Sequence, residues 1–273
     1  MIKKIVLILS VIGLIFIAAC SKNDTTTGTD NGSNTDTTNY FPVNDGNYYK
    51  YSINGTDSTG TQLTGTRSAT FNGTKTILGT EYQVKVDSTF IASLTTTSES
   101  YLRKSQPASG SSNYGVYVYL DTSGISNLIP DSLLQYLKIS NEMTLYSFPL
   151  DQVNKWSVLS LKIDFGIIAI TLVDVEATYE GTENVNLNLV SGAKTMSAAK
   201  IKYSLTLTIP DPNNVLGTPS KQVYTANAWL VSNIGPVKWD GNASLLNAIV
   251  GGDIVLADTS GTLSQSLIDY KLK

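Results

Sequence analysis

The residue types that most often carry catalysis are sparse in this chain of 273 residues. It contains no histidine, and its single cysteine is Cys20. The lack of histidine excludes a nucleophile activated by a histidine base, a zinc site with histidine ligands and the usual proton shuttle near neutral pH. Carboxylates, and metals bound through oxygen, are therefore the remaining routes to catalysis.

Three short Asp-x-x-Gly segments resemble one another and begin at Asp57, Asp121 and Asp258. Aspartic proteases use Asp-Thr-Gly or Asp-Ser-Gly loops, whereas an extra residue separates Asp from Gly in all three segments. An Asp side chain that caps a four-residue turn, with Gly in the left-handed position, explains the pattern more simply. We therefore predict three turns and no protease.

A second acidic group begins at Asp174 and Glu176, with Glu180 and Glu183 close behind. Paired carboxylates can serve a glycosidase, and clustered carboxylates can bind calcium. The segment lacks the regularly spaced oxygen ligands of an EF-hand loop. An outward acidic stripe that keeps a sheet soluble is the favoured interpretation, so no catalytic, metal-binding or cofactor-binding residue is predicted.

Fifteen tyrosines are the most suggestive feature of the composition. In a strand, Tyr117 and Tyr119 would share one face, while Val116 and Val118 would share the other. An exposed aromatic strip can stack on sugars or on an apolar ligand. Tyrosine also fits half-buried strand surfaces, which is the structural alternative. Tyr117 and Tyr119 are the candidate ligand contacts.

Cys20 ends a run that has the three parts of an export signal. Lys3 and Lys4 precede the mostly apolar residues 5–19, and small residues come directly before the cysteine. The run is shorter than the roughly 20 apolar residues that a membrane-spanning helix needs. Residues 17–20, Ile-Ala-Ala-Cys, resemble the lipobox of bacterial lipoproteins, whose cysteine carries a diacylglycerol after the signal is cleaved in front of it.

This resemblance implies that residues 1–19 are a signal peptide and that lipid on Cys20 attaches the mature protein to a membrane. Two or more acyl chains anchor a protein stably. Ser21, in place of Asp, favours the outer membrane. Residues 21–24 are similar to export tags of surface lipoproteins in Bacteroidota-type bacteria, with Asn23 as a departure. A periplasm-facing and a surface-exposed position both remain open.

The rest of the chain divides into a tether and one domain. Cleavage after residue 19 would leave 17 basic against 22 acidic side chains, a balance that argues against a nucleic-acid partner. Residues 20–39 are rich in Thr, Asn, Asp and Gly and cannot bury apolar surface. They are predicted to form a disordered tether with an end-to-end distance on the order of 25 Å. Residues 40–273 are long enough for one core without a disulfide.

Alternation with a period of two residues predicts a mainly β domain. Residues 201–209 place apolar side chains at every odd position, and residues 185–189 and 82–86 follow the same rule. In the last of these segments Lys85 falls on the face predicted to be wet. We expect a single antiparallel curled sheet or half-barrel, with a β-sandwich as the alternative.

Several segments refine this expectation. Alternation stops between Ile167 and Val173, which predicts a bulge or tight turn at Gly166 and a doubly covered strand near Ile168 at the centre of the core. A short helix near 130–138 is predicted from leucines that follow a proline and a capping Asp.

Four dipeptides predict hairpin turns, because Asn, Asp and Gly tolerate positive φ. They are Asp45-Gly46, Asn54-Gly55, Asn72-Gly73 and Asp240-Gly241.

Two segments resemble a group of uncharacterised bacterial outer-membrane lipoproteins of the Bacteroidota type. Residues 40–51 are similar to their opening "FP…GN.W.Y", and residues 228–239 to their later "W…GVG.VK", with Ile234 and Pro236 as departures. The resemblance implies a curled antiparallel sheet like the half-barrels of periplasmic lipoprotein carriers, and it supplies no activity.

Together these features favour a non-enzymatic binding or envelope-associated role, with an apolar small molecule or a glycan as ligand. No cofactor is predicted. The alternative function is a carbohydrate-active enzyme that uses a carboxylate pair, whose two groups should converge in a cleft about 5 to 10 Å apart.

Overall fold

A computed structural model of the chain describes residues 39–57, 59–105, 113–122, 131–150, 153–209, 219–250 and 261–273. The predicted signal peptide, Cys20, the tether up to residue 38 and the segment at Asp258 lie outside these ranges. Within them the chain forms thirteen strands in one sheet and two short helices. Neither helix is long and apolar enough to cross a membrane.

The strands and helices are numbered in chain order. They are β1 (Tyr48–Thr56), β2 (Gln62–Ile77), β3 (Thr80–Ile91), β4 (Leu94–Lys104), β5 (Tyr114–Tyr119), α1 (Asp131–Leu134), β6 (Leu137–Lys138), β7 (Glu142–Phe148), β8 (Lys155–Asp164), β9 (Ala169–Leu189), β10 (Gly192–Ile209), β11 (Ser220–Val231), β12 (Gly235–Asn242), α2 (Ala243–Val250) and β13 (Thr262–Lys271).

Every pair of neighbouring strands in the sheet is antiparallel. The order is β6-β8-β9-β10-β11-β12-β13-β1-β2-β3-β4-β5-β7, so β6 and β7 are its edges. The predicted mainly β class and the single antiparallel sheet are therefore confirmed, and the β-sandwich alternative does not apply.

The sheet curls until edge strand β7 lies against its other half. The indole N–H of Trp156 on β8 donates to the carbonyl of Thr144 on β7 at 3.2 Å. The hydroxyl of Tyr203 on β10 donates to the carbonyl of Leu145 at 2.9 Å. Curling gives the sheet an inner face, and the buried hydrophobic side chains form one contiguous cluster.

Helix α2 contributes to this interior and has no counterpart in the sequence-based prediction. Asn242 caps the helix, since its side-chain oxygen accepts the N–H of Leu245 at 3.0 Å. Leu245, Leu246 and Ile249 are almost completely buried. The helix was missed because it is only eight residues long and follows a strand directly.

The helix predicted near 130–138 is present but shorter. Helix α1 covers Asp131–Leu134, and the chain then pairs as β6 at Leu137–Lys138. Lys138 is aligned with Lys162 of β8. Pairing with β8 therefore ends the helix early.

The predicted hairpin turns are mostly wrong. Asn54-Gly55 lies inside β1 and Asp240-Gly241 inside β12, while Asn72-Gly73 forms an irregularity in β2. Asp45-Gly46 is in a turn just before β1. Dipeptides that tolerate positive φ thus mark bulges and close strand contacts as often as turns.

Two hairpin turns form without a conventional turn sequence. Leu78 and Gly79 have φ values of 50° and 80°, and Ala92 and Ser93 have values of 48° and 68°. Two-residue turns with positive φ match the twist of the flanking strands and normally contain Asn or Gly. Strand pairing imposes this conformation on Leu78, Ala92 and Ser93.

The apolar segment predicted to lie at the core centre forms an exposed hairpin tip between β8 and β9. Gly166 has a φ of 84°, and its N–H binds the carboxylate of Asp164 at 2.9 Å, which confirms the predicted tight turn. Ile167 is 97% exposed and Ile168 is 54% exposed. The prediction of a doubly covered strand is wrong, because alternation stops where the chain reverses direction.

The two segments that resemble bacterial lipoproteins pack together. Asn47 is fully buried, donates to the carbonyl of Pro42 at 3.3 Å and accepts the N–H of Lys273 at 2.8 Å. Tyr51 donates to the carbonyl of Pro236 in the second segment at 2.9 Å. These contacts join the beginning of the domain to its end and to the β11–β12 hairpin.

Candidate functional site

Tyr117 and Tyr119 lie on the outer face of the sheet, opposite the buried side chains of Val116 and Val118. Both tyrosines are half-buried. They form an outer tyrosine patch with two neighbours on β3 and β4, which are Tyr82 and Tyr101. The predicted split of β5 into an apolar face and a tyrosine face is therefore present.

The ring of Tyr117 is already packed by its neighbours. The guanidinium of Arg103 lies 4.2 Å from the ring centroid. A side chain at Gly115 would come within 2.7 Å of the same ring, so only glycine leaves room for it. These contacts fix the position of the Tyr117 ring on the outer face of the sheet, where it stays half-buried.

Arg103 is fixed by Glu142 on the edge strand β7. The guanidinium donates two hydrogen bonds to the carboxylate, both of 2.5 Å, and the hydroxyl of Tyr82 donates a third of 2.6 Å. The bonds from Arg103 hold the pKa of Glu142 below its usual range. Burial and the bond to Glu142 raise the pKa of Tyr82 to about 12.

Tyr119 fills the space between the other two tyrosines. Its ring makes edge-to-face contacts with Tyr82 and Tyr101, at centroid distances of 5.7 and 6.5 Å. The ammonium of Lys75 lies 4.6 Å from the centroid of Tyr101 and donates to its hydroxyl at 3.0 Å. The patch thus combines aromatic rings with fixed charges at both ends.

The predicted acidic stripe is present on the outer face of β9. Asp174 and Glu176 alternate with buried valines and are half-exposed. Glu176 lies 2.9 Å from the ammonium of Lys155, with both side chains well exposed. Glu180 lies 3.1 Å from Lys200. Glu176 and Glu180 thus stand on an outward surface, each beside a lysine.

The turn predicted at Asp57 is also present. Its carboxylate accepts the N–H groups of Thr59 and Thr61 at 2.9 and 2.8 Å, and Gly60 has a φ of 84°. The carboxylate thereby caps the turn as predicted. The Gly of the segment at Asp121 lies outside the described residues.

A buried charge cluster on the inner face was missed by the sequence-based prediction. Arg67 on β2 and Lys85 and Asp87 on β3 are 2%, 9% and 1% exposed. Asp87 lies 3.2 Å from the guanidinium of Arg67 and 2.9 Å from the ammonium of Lys85. The prediction that Lys85 faces water is wrong, because β3 turns its Lys85 side toward the interior.

The charge cluster is held by contacts from three further elements. Arg67 lies 4.6 Å from the ring centroid of Tyr51 on β1. Lys85 donates to the carbonyl of Val250, the last residue of α2, at 2.5 Å. Burial lowers the pKa of Lys85, while the nearby Asp87 carboxylate opposes the shift. The sequence of β3 does not indicate that Tyr51 and Val250 contact this cluster.

A cavity of about 40 Å³ adjoins the charge cluster. Arg67, Lys85, Ser100 and Trp239 line it together with aromatic and aliphatic side chains. Pockets for drug-sized ligands measure roughly 300 to 1,000 Å³. This cavity is therefore too small to receive an acyl chain.

No family model matches the chain, and no curated protein matches it. Two solved structures are similar to it. One is described as a "putative lipoprotein" from Parabacteroides distasonis, with 13% identity over 86% of this chain and 99% of that chain, at a TM-score of 0.42. The other is described as a "putative exported protein with YmcC-like fold" from Bacteroides fragilis, with 13% identity over 86% of this chain and 100% of that chain, also at 0.42.

Proposed function

We propose that the protein is a lipid-anchored protein of the bacterial outer membrane with a non-enzymatic binding role. The observation that carries the proposal is the position of Cys20, the only cysteine of the chain, directly after a short apolar export signal. A plain secretory signal would leave the position of this thiol unexplained.

The point where the tether meets the domain supports this proposal. The carbonyl of Asn39, the first described residue, accepts the N–H of Asn233 in the β11–β12 turn at 2.7 Å. The tip at Gly166 lies far along the sheet from this turn. Leu230, beside the turn, is aligned through Ala199 with Thr182 of β9, which follows Ala169 by 13 residues, about 43 Å of strand. A tether with a mean span on the order of 25 Å would keep this tip away from the anchoring membrane.

The placement of the carboxylates supports binding over catalysis. Among the described residues, Asp87 is the one carboxylate that is buried, and two cations engage it. Glu142 is likewise held by Arg103 and Tyr82. A glycosidase instead needs two carboxylates that face one cleft.

We place the ligand contact on the outer tyrosine patch, at Tyr117 and Tyr119, and propose a glycan as the ligand. The cavity beside the charge cluster has no room for an apolar chain, whereas the patch sets aromatic surface beside the fixed charges of Arg103 and Glu142. Sugars combine apolar C–H faces with hydroxyl groups, so both parts of this surface can contact them.

The lipid anchor is tested by the substitution Cys20→Ala in cells. We expect the variant to remain at precursor size, to incorporate no fatty acid and to be missing from the outer-membrane fraction. The thiol is the acceptor of the lipid and its loss leaves the signal uncleaved. Metabolic labelling with an alkyne fatty acid measures lipid incorporation. Gel mobility measures the size of the protein, and membrane fractionation measures its location.

The control for this experiment is Ser21→Ala, which keeps the thiol and should be labelled and cleaved like the unchanged protein. Fatty-acid labelling of the Cys20→Ala variant would refute the anchor. Protease treatment of intact cells then separates surface exposure from a periplasm-facing position.

The ligand surface is tested by the double substitution Tyr117→Ala and Tyr119→Ala. Aromatic contacts contribute about 0.5 to 1.5 kcal/mol each, so we expect soluble envelope oligosaccharides to bind roughly tenfold more weakly in calorimetric titrations. Tyr224→Ala on β11 is the matched control, because this tyrosine contacts Gln222 outside the patch. Equal binding by both variants would place the ligand elsewhere.

A further inference from the structure

The charge cluster in the interior contains more positive than negative charge. With Lys85 protonated, Arg67 and Lys85 carry two positive charges against the one negative charge of Asp87. Among the described residues no other charged side chain is buried. An uncompensated charge inside a protein is costly, by several kcal/mol for each ion. The cluster therefore needs either a counter-ion or the loss of a proton.

The described residues that line the cavity beside the cluster supply hydrogen-bond donors and include no carboxylate. The Nε of Arg67, the hydroxyl of Ser100 and the indole N–H of Trp239 line it, are buried and have no hydrogen-bond partner. The hydroxyls of Tyr49 and Tyr51, which also line the cavity, already donate to the carbonyls of Pro42 and Pro236. Buried donors without partners are rare in native proteins and usually indicate a bound water or ion.

The volume limits the size of an occupant. A water molecule needs about 10 to 15 Å³ of such space, so a cavity of about 40 Å³ holds roughly three water-sized groups. Chloride or a carboxylate group fits this limit, whereas a sulfate with five heavy atoms does not. The walls are otherwise aromatic and aliphatic, which strengthens the attraction between opposite charges.

We propose that this cavity is a binding site for a small monovalent anion of the size of chloride or formate. The guanidinium of Arg67 and the ammonium of Lys85 supply the charge, and Ser100 and Trp239 supply further hydrogen bonds. The bound anion neutralises the cluster and joins β2, β3 and β12. The site is on the inner face and is independent of the lipid anchor and of the outer tyrosine patch.

The test measures thermal unfolding of the mature, lipidated protein in detergent with sodium formate or sodium sulfate at equal ionic strength. A ligand at 100 times its dissociation constant stabilises a domain of this size by roughly 5 to 10 °C. We expect the unfolding temperature in formate minus that in sulfate to be larger by this amount in the unchanged protein than in Lys85→Met, in which Arg67 and Asp87 balance each other. Comparison with the variant removes the general stabilisation that sulfate gives to folded proteins.

Lys75→Met is the matched control. Lys75 lies on β2 but faces outward against Tyr101, so this variant should keep the full response to formate. The same formate-minus-sulfate difference in the unchanged protein and in Lys85→Met would overturn the site, since the cluster would then be neutralised by the chain or by proton loss. A full formate response in Lys85→Met would overturn it as well.

A second measurement covers the case in which Lys85→Met does not fold. Crystals of the unchanged protein grown in sodium bromide should show an anomalous peak within hydrogen-bond distance of the Arg67 Nε and the Trp239 Nε1. Bromide has the charge of chloride and is only slightly larger. Crystals without a peak in this cavity would refute the proposal.

Discussion

Replacement of Asp87 by asparagine should lower the free energy of unfolding by about 3 to 5 kcal/mol. Asp87 is the carboxylate that faces both Arg67 and Lys85. Its neutralisation leaves two buried cations side by side without their shared carboxylate, and their repulsion adds to the lost attraction. The total stability of a domain is only about 5 to 15 kcal/mol, so this variant should be close to unfolding.

Urea denaturation measures this effect, and a double-mutant cycle identifies its origin. In the Lys85→Met background, Asp87→Asn removes one ion pair instead of two, so its cost should fall by about 1 to 3 kcal/mol. Glu176→Gln is the surface control and should cost no more than about 1 kcal/mol, because its pair with Lys155 is exposed. An Asp87→Asn cost as small as that of the control would contradict the prediction.

Alkaline pH is expected to unfold the protein steeply, with a loss of about 5 kcal/mol between about pH 9 and pH 11. Four interior tyrosines, Tyr49, Tyr51, Tyr146 and Tyr203, are at most 3% exposed. Burial raises the pKa of all four above the ordinary value. The same tyrosines ionise near pH 10 once the chain is unfolded.

The direction of the effect follows from the protons bound in each state. Above about pH 10 the folded state keeps its phenolic protons while the unfolded state releases them, so stability falls as pH rises, by about 1.4 kcal/mol per group and pH unit. Below pH 10 both states are protonated and this contribution is constant. Burial lowers the pKa of Lys85, which acts in the opposite direction, but this is a single group.

Parallel measurements of tyrosinate absorbance and of circular dichroism test this prediction. The part of the absorbance change that comes from the four interior tyrosines should coincide with the loss of the dichroism signal, because these tyrosines ionise only when the sheet opens. Tyr203→Phe serves as the comparison. It loses the bond to the carbonyl of Leu145 at every pH, and the slope of stability against pH should be shallower by one proton. Ionisation of all tyrosines with an unchanged sheet signal would contradict the prediction.

The sequence was a good guide to strand alternation and to turns that are closed by their own side chains. Residues 185–189 show why: Val185, Leu187 and Leu189 are buried and the asparagines between them are exposed, as alternation predicts. The tight turn at Gly166 and the capped turn at Asp57 were predictable for the same reason, since the groups involved lie within four residues of each other.

The buried charge cluster was not predictable, because alternation marks two faces without saying which one is inside. Residues 82–86 assign Lys85 to the wet face by polarity alone. In the structure the outer tyrosine patch covers the other face of β3. Lys85 is accommodated on the inner face because Asp87 pairs with it and with Arg67. Arg67 comes from β2, whose register with β3 is a long-range property.

The exposed tip at residues 165–168 was mispredicted for a related reason. Its composition is that of a core strand, but the register of β8 and β9 pairs Asp164 with Ala169 and places the residues between them in the turn. Burial depends on where a segment falls in the sheet, and an apolar composition does not determine that position.

The sequence by itself determined the lack of histidine chemistry and the mainly β class, and it carries the predictions of an export signal and of a lipid site at Cys20. These properties depend only on residue types and on spacings of a few residues. Only the tertiary structure decided which face of each strand is inside, and therefore that Arg67, Lys85 and Asp87 meet beside a small cavity. That decision depends on the registers of thirteen strands, which are set jointly by the burial of the whole sheet and by no single segment.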